Sequence, residues 1–498
     1  MNRLAYRCLA AVGLLAAALS FSNVQAQQAQ QAQQAQQAKV GQQVHSISTC
    51  PGEDCSNEMI ISWGADTSVQ SWLLWSKASD KGWKRAKREN PIWYRTEIYN
   101  GKSSKRANNE NFFEDVIFNK CRVKLSGLEP NTTYKYMIVS GPASRGTSTG
   151  TGSSTAASGT SATSTGTAAS GAGTGAGTAA KTTAAKTTAA KTAAAKTSAG
   201  DASTGAYTFK TAGAKEWSAC IISDFHNYSP IPGRLEAADK MIGKIKEYDP
   251  SMDWVLHLGD ICAWGGSYSF WNNLYGMQWF RDYMWAGVNG NHDNMSRKYE
   301  LTNEYFRNSA AYPLNGYPGE MGVCYWFKYG EALFIMLNNE SMRTQEGLED
   351  AQEWFKSVIK SNPSKYIIVC EHYQWFFGTD GADSQIARWS QLFDKYGVDL
   401  ALAGNNHIYV RTNALYNKEE TDGSRGTVYI QTPSSDNERG QAMKPELTHN
   451  KEIIKCRWTE GAKTVGAMSI KVFPTHIELA LPDRNGTVID TATVKAKR

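Results

Sequence analysis

Residues 219–226 read Ala219-Cys220-Ile221-Ile222-Ser223-Asp224-Phe225-His226, and residues 254–260 read Trp254-Val255-Leu256-His257-Leu258-Gly259-Asp260. Each is a short apolar run that ends abruptly in a carboxylate. Runs of this kind suit strands buried on both faces of a sheet. Between them, residues 235–247 place Ala238, Met241, Ile242 and Ile245 on one helical face. Strand, helix, strand is the unit of a layered α/β domain. The alternation continues downstream. An amphipathic helix over 348–360 precedes a strand at 366–370, and a helix over 384–396 precedes a strand at 399–403. Alternating strands return at 468–472 and 477–481, followed by a turn at Asn485-Gly486 and a last strand from Val488. The α/β domain is therefore expected over 214–498.

Upstream the pattern is all β. Met59-Ile60-Ile61-Ser62-Trp63 and Ser71-Trp72-Leu73-Leu74-Trp75 read as short strands. Cys121-Arg122-Val123-Lys124-Leu125 and Tyr134-Lys135-Tyr136-Met137-Ile138-Val139 alternate apolar and polar, with a turn at Glu129-Pro130-Asn131 between them. Short strands separated by turn signals predict a small β-sandwich. It is interrupted by residues 144–203, which are almost wholly Gly, Ser, Thr and Ala, with Lys181, Lys186, Lys191 and Lys196 at five-residue spacing. No side chain there can bury enough area to offset chain entropy, so a disordered spacer is expected. Tyr207-Thr208-Phe209-Lys210-Thr211 resumes the sandwich, giving a unit over 42–213.

The N-terminus reads as an export signal. Arg3 and Arg7 precede an apolar run at 8–21, and Val24-Gln25-Ala26 has the small residues of a cleavage site. The run is too short for a span of about 20 residues. Residues 1–26 are thus a cleavable signal, and a secreted or periplasmic product is expected. The Gln/Ala repeat at 27–41 is a disordered leader. Nine cysteines less Cys8 leave eight, which permits disulfides, and Cys50 and Cys55 are close enough to bridge. Cys220 and Cys370 sit in apolar runs and read as core residues. Of 498 residues 41% are hydrophobic, enough for a sizeable core, and 53 basic against 47 acidic residues give a net charge of only +6. A nucleic-acid binder needs a stronger, clustered excess. The basic run at 81–88 reads as a solvated loop.

Five short motifs close predicted strands, where open α/β sheets place their sites. They are Asp224-Phe225-His226, Gly259-Asp260, Gly290-Asn291-His292-Asp293, Glu371-His372 and Gly404-Asn405-Asn406-His407. Each pairs a hard oxygen or imidazole ligand with a sharp strand exit, and four of the eight histidines lie in them. His257, inside its strand, reads as a packed core histidine, and His45, His449 and His476 carry no motif.

This order of motifs resembles the calcineurin-like metallophosphoesterase superfamily. His407-Ile408-Tyr409-Val410-Arg411 is similar to a stretch of the purple acid phosphatases. Residues 125–134 resemble part of their fibronectin type III-like N-terminal domain. The resemblance implies a layered β-sandwich flanked by helices, preceded by an all-β sandwich, and hydrolysis of phosphate monoesters by a metal-bridged hydroxide. A pair of divalent or mixed-valence ions (Fe, Mn, Zn or Mg) would hold the phosphate and activate water. By the same resemblance Asp224, His226, Asp260 and His407 hold the first ion. Asp260 bridges to a second, held by Asn291, His372 and Asn405, the last either a weak ligand or none. His292 would stabilise the transition state or protonate the leaving oxygen, with Asp293 orienting its imidazole. Arg411 would approach the phosphate or brace its loop, and Trp264, Tyr268, Tyr373, Gln374 and Trp375 are candidates to line the substrate pocket. The expected partner is a phosphorylated small molecule.

Three positions depart from that pattern. Ala263 stands where the purple enzymes carry the tyrosine that gives them their colour. His226 stands where they carry glycine. Asn405 replaces a histidine ligand of the second ion, so that position should be weaker or prefer a harder metal. The alternatives to a monoesterase are a phosphodiesterase and a catalytically impaired binding module.

Overall fold

The computed structural model describes residues 44–87, 89–99, 113–142, 202–228, 232–296, 300–375, 383–436 and 453–498. The export signal, the Gln/Ala leader and the spacer lie outside the described residues, except Ala202–Ser203. That pair forms a short strand against Thr133–Pro142, so the sandwich resumes before residue 207.

Two sheets stacked face to face form the C-terminal unit. In the first, Trp217–Ile222 lies parallel to Trp254–His257, which lies parallel to Met284–Gly287. Met468–Val472, His476–Pro482 and Val488–Lys495 extend it antiparallel. In the second, Ala332–Met336, Tyr366–Cys370, Leu400–Ala403 and Thr427–Gln431 run parallel. The hairpin strand Tyr325–Tyr329 closes one edge and Tyr409–Tyr416 continues the other antiparallel. Side chains alternate by two along these strands. Phe334, Met336, Ile368, Cys370, Leu400 and Leu402 therefore face the first sheet, while Leu333, Ile335, Ile367, Val369 and Ala401 face the other way. Between the sheets Trp254 packs edge-on against Phe334, ring centroids 5.0 Å apart.

Helices cover the outer faces. Gln345–Ser361 starts where Thr344 accepts a hydrogen bond from Gly347 N at 3.1 Å, and it turns Leu348, Ala351, Phe355 and Val358 onto the second sheet. Asp383–Tyr396 adds Trp389 and Phe393 to the same layer. Pro232–Tyr248 packs on the first sheet through Ala238, Met241, Ile242 and Ile245, the face expected from their spacing. Among the described residues no helix is long and apolar enough to cross a membrane.

The β-rich N-terminal unit is also two sheets. Val44–Pro51, Glu58–Asp66, Phe113–Ser126 and Ile92–Tyr99 form one; Val69–Lys77, Thr133–Pro142 and Tyr207–Lys210 anchor the other. Trp63, Leu73, Ile138 and Phe209 lie in its core. The eight described cysteines all carry free thiols, so the Cys50–Cys55 bridge that the spacing permits is not formed. Both point into the core toward separate partners. The Cys50 thiol lies 3.8 Å from Ser48 Oγ, and that of Cys55 lies 3.6 Å from Met284 Sδ.

The two units are bolted together by polar contacts. Tyr136 Oη donates to Arg281 O at 2.7 Å, Arg122 to Tyr312 O at 3.1 Å, and Lys120 Nζ to Ser309 O at 2.9 Å. Burial brings Lys120 down to about 8, because an ammonium is poorly solvated there. The unfolded chain therefore holds this proton more tightly than the folded one, and stability rises between pH 8 and about 10.4. Lys120→Met removes the penalty, and Tyr275 Oη, at 2.7 Å, still satisfies Ser309 O. Thermal melts should show the variant more stable by about 1–3 kcal/mol at pH 7, with the gain shrinking by pH 10.

Candidate metal centre

All five motifs leave strands at the same edge of the two sheets. Asp224 and His226 follow Trp217–Ile222, and Asp260 follows Trp254–His257. Asn291, His292 and Asp293 follow Met284–Gly287, His372 follows Tyr366–Cys370, and Asn405 and His407 follow Leu400–Ala403. The exits are sharp. Asp224, His226, Asp260, Asn405 and His407 have φ of +54°, +43°, +52°, +68° and +55°. Asp, Asn and His are the side chains that tolerate this region best after glycine, and such conformations gather at functional sites. The neighbouring glycines serve closeness instead. A Cβ on Gly290 would meet Asp260 Oδ1 at 2.3 Å, and one on Gly404 would meet Asp224 Oδ2 at 2.9 Å.

The side chains converge on Asp260. His226 Nε2 lies 3.1 Å from its Oδ2, and His372 Nε2 lies 3.2 Å from its Oδ1 without the alignment of a hydrogen bond. His407 Nε2 lies 3.4 Å from Asp224 Oδ1. Ligand atoms of Asp224, His226 and His407 lie within 4.8 Å of one another, as do those of Asp224, Asp260 and His372, and those of His226, Asp260 and His292. Outer contacts fix the donors. His372 Nδ1 lies 2.7 Å from Leu258 O and His226 Nδ1 lies 3.2 Å from Asp224 O, which leaves each Nε2 toward the cluster. Ser223 Oγ donates to Asp224 Oδ2 at 2.6 Å.

The electrostatics ask for a cation. Asp224 Oδ1, Asn291 Oδ1 and His372 Nε2 are buried without a hydrogen-bond partner, a costly state that a bound cation would relieve. Burial opposes the charge on Asp260, yet His372, His292 and His226 hold its carboxyl well below the usual range. Burial likewise opposes Asp224, which His407 brings down to about 2. Burial disfavours charge on His372 too, but Asp260 and Asp224 raise it to about 10. Neutral and charged oxygen donors mixed with imidazole suit two divalent ions.

Several expected roles change. Asp293 does not orient His292. The imidazole Nδ1 lies 2.8 Å from Ala263 O, so a backbone carbonyl at the departing position holds it. Asp293 instead accepts from Cys262 N at 2.9 Å and Gly290 N at 3.0 Å, tying the Asp260 loop to the Asn291 loop. Burial first, and then the Asp260 charge, push its carboxyl up to about 7. Arg411 is turned to a brace: Nε and Nη2 clasp Asp490 at 2.6 and 3.1 Å, and Tyr409 Oη joins at 2.8 Å. Tyr268 is core, its ring 4.3 Å from Phe118. Trp375 is fully buried in the helical layer. Trp264 is half-buried against Tyr228 and Phe270. Tyr373 lies beside His372, ring centroids 5.6 Å apart, and its hydroxyl meets Arg343. His257 is a neutral core residue, its Nδ1 accepting from Gly259 N at 3.1 Å. Burial above all brings it down to about 3. Ser223, Leu258 O and Ala263 O escape a sequence reading, because two of them act through the backbone.

A family model described as calcineurin-like phosphoesterase matches residues 219–409. An uncharacterised protein of Mycobacterium tuberculosis is 27% identical over 176 residues, covering 31% of this chain and 33% of that protein. A nucleotide pyrophosphatase/phosphodiesterase of Hordeum vulgare is 25% identical over 240 residues, covering 42% of this chain and 62% of that protein. The match thus spans about a third of the mycobacterial relative and less than two thirds of the barley one. A purple acid phosphatase from seeds of yellow lupin (Lupinus luteus) superposes with a TM-score of 0.60 at 15% identity, over 91% of this chain and 74% of that one. That likeness covers the layered fold and the β-rich unit before it. Residues 219–409 of this chain are a domain of the calcineurin-like phosphoesterase family.

Proposed function

We propose that the chain is an exported, metal-dependent phosphoesterase that hydrolyses phosphate monoesters of small molecules. One observation carries the reading: Asp260 has a histidine against each carboxylate oxygen, the arrangement of a carboxylate shared between two ions. Asp224, His226, Asp260 and His407 would hold one ion; Asp260, Asn291, His372 and Asn405 would hold the other. Bound there, the ions would neutralise the phosphate and activate water near neutral pH.

The side chains do the rest. His292 is held through Nδ1, so its Nε2 is the atom placed to give a proton to the leaving oxygen. Its ring lies 4.7 Å from that of His226, next to the shared carboxylate. Asp293 keeps the two loops in register. Tyr373, beside His372, and the half-buried Trp264 would line the pocket for a leaving group. Ala263 offers no phenolate to iron, so the purple tyrosinate-to-iron colour should be absent whichever of Fe, Mn, Zn or Mg the protein holds.

A diesterase is the second reading, favoured by the name of the barley relative. The test is hydrolysis of p-nitrophenyl phosphate and bis(p-nitrophenyl) phosphate with Mn, Zn, Fe or Mg added. Faster turnover of the monoester is expected. The reverse order points to a diesterase, and no turnover with any metal points to a binding module.

The wider organisation belongs to the same proposal. Residues 42–213 are read as a fibronectin type III-like unit on its two antiparallel sheets of short strands, and residues 214–498 as the catalytic unit. Removal of residues 1–26 would start the mature chain at Gln27, which N-terminal sequencing of the exported protein checks.

A further inference from the structure

We infer that Gln374 selects the metal of the second position by fixing which end of the Asn405 amide faces it, an inference that rests on the two-ion reading above. Asn405 is set in a rigid frame. Its backbone N–H donates to Asp224 Oδ2 at 3.0 Å, and Gly404 N–H donates to His372 O at 2.9 Å. The residue thus stands between a carboxylate of the first position and the loop of the imidazole that serves the second. Its φ of +68° leaves the backbone little choice.

The amide itself has two unlike ends. Turning it over exchanges an oxygen that attracts a cation for an NH2 that repels one. In the structure Gln374 takes the acceptor's part. It follows His372 by two residues, is 2% exposed, and presents Oε1 to Asn405 Nδ2. With the NH2 engaged, Oδ1 is the end of the Asn405 amide left for a ligand. A neutral carbonyl oxygen is a harder donor than imidazole, so compared with a histidine there it shifts the second position toward Mn or Mg and away from Zn. Gln374 is a positioning residue, acting through Asn405.

A double-mutant cycle on the full chain tests this. Metal-free wild type, Gln374→Met, Asn405→Ala and the double variant are titrated with Mn2+ and with Zn2+ by calorimetry. Gln374→Met should weaken Mn2+ at the second position roughly tenfold or more while Zn2+ changes less, with the first position untouched. The intact first position shows that the variant is folded. In the Asn405→Ala background the same change should cost nothing further. Asn405→His should shift the preference toward Zn2+ and make it indifferent to residue 374. Two ions bound, with unchanged Mn2+ affinity in Gln374→Met or with additive losses, overturns the role of Gln374 and leaves the two-ion reading standing. A wild type that binds a single ion overturns both.

Discussion

Asp260→Asn is expected to abolish hydrolysis and to empty both ion positions, with the fold intact. The substitution is nearly isosteric, and asparagine tolerates the left-handed backbone that residue 260 adopts, φ +52°. Its oxygen can still accept from His292 N, which now donates to Oδ1 at 2.9 Å. What vanishes is the second anionic oxygen, and with it the shared ligand between His226 and His372. Elemental analysis should show metal content falling from two equivalents toward none, with the circular dichroism of the metal-free proteins superimposable. Retained stoichiometry would sink the shared-ligand assignment. The wild type also has a signature independent of turnover, which the variant should lose. His372 is raised to about 10 against the pull of burial, chiefly by Asp260. In wild type an ion arriving below that pH must displace this proton, so affinity rises with pH and binding releases protons to the buffer. Calorimetry in buffers of different ionisation heat measures that release.

His292→Ala should lower kcat by about 10²–10⁴-fold while both ions remain bound. The separation matters because His292 lies within reach of His226 and Asp260 and is itself a possible ligand. If its Nε2 serves the leaving oxygen, the loss depends on the leaving group. An alkyl phosphate, whose alkoxide needs a proton, should suffer far more than p-nitrophenyl phosphate, whose phenolate leaves unaided. Equal losses on the two substrates together with lost metal would make His292 a ligand.

The layered fold was legible because both faces of the second sheet are apolar, so its strands stand out as unbroken runs before carboxylates and histidines. The hairpin Tyr325–Tyr329 with Ala332–Met336 was not read, since no motif follows it. The meeting of the five motifs was legible from their order after strands. Roles set by distant partners were not. Arg411 is claimed by Asp490, 79 positions later, and Asp293 by two backbone amides. The hold on His292 comes from the carbonyl of Ala263, whose side chain says nothing about it. Backbone donors and acceptors are the same at every position, so a string of side chains does not reveal them.

The positive torsions at Asp224, His226, Asp260, Asn405 and His407 impose a second screen on sequence change. A saturation library at these codons, sorted only for soluble expression, should still be depleted of valine, isoleucine and threonine, whose branched Cβ resists that backbone. The narrow alphabet expected there would thus reflect handedness as well as metal chemistry, and a descendant that lost its activity could keep the same letters for the sake of its turns alone.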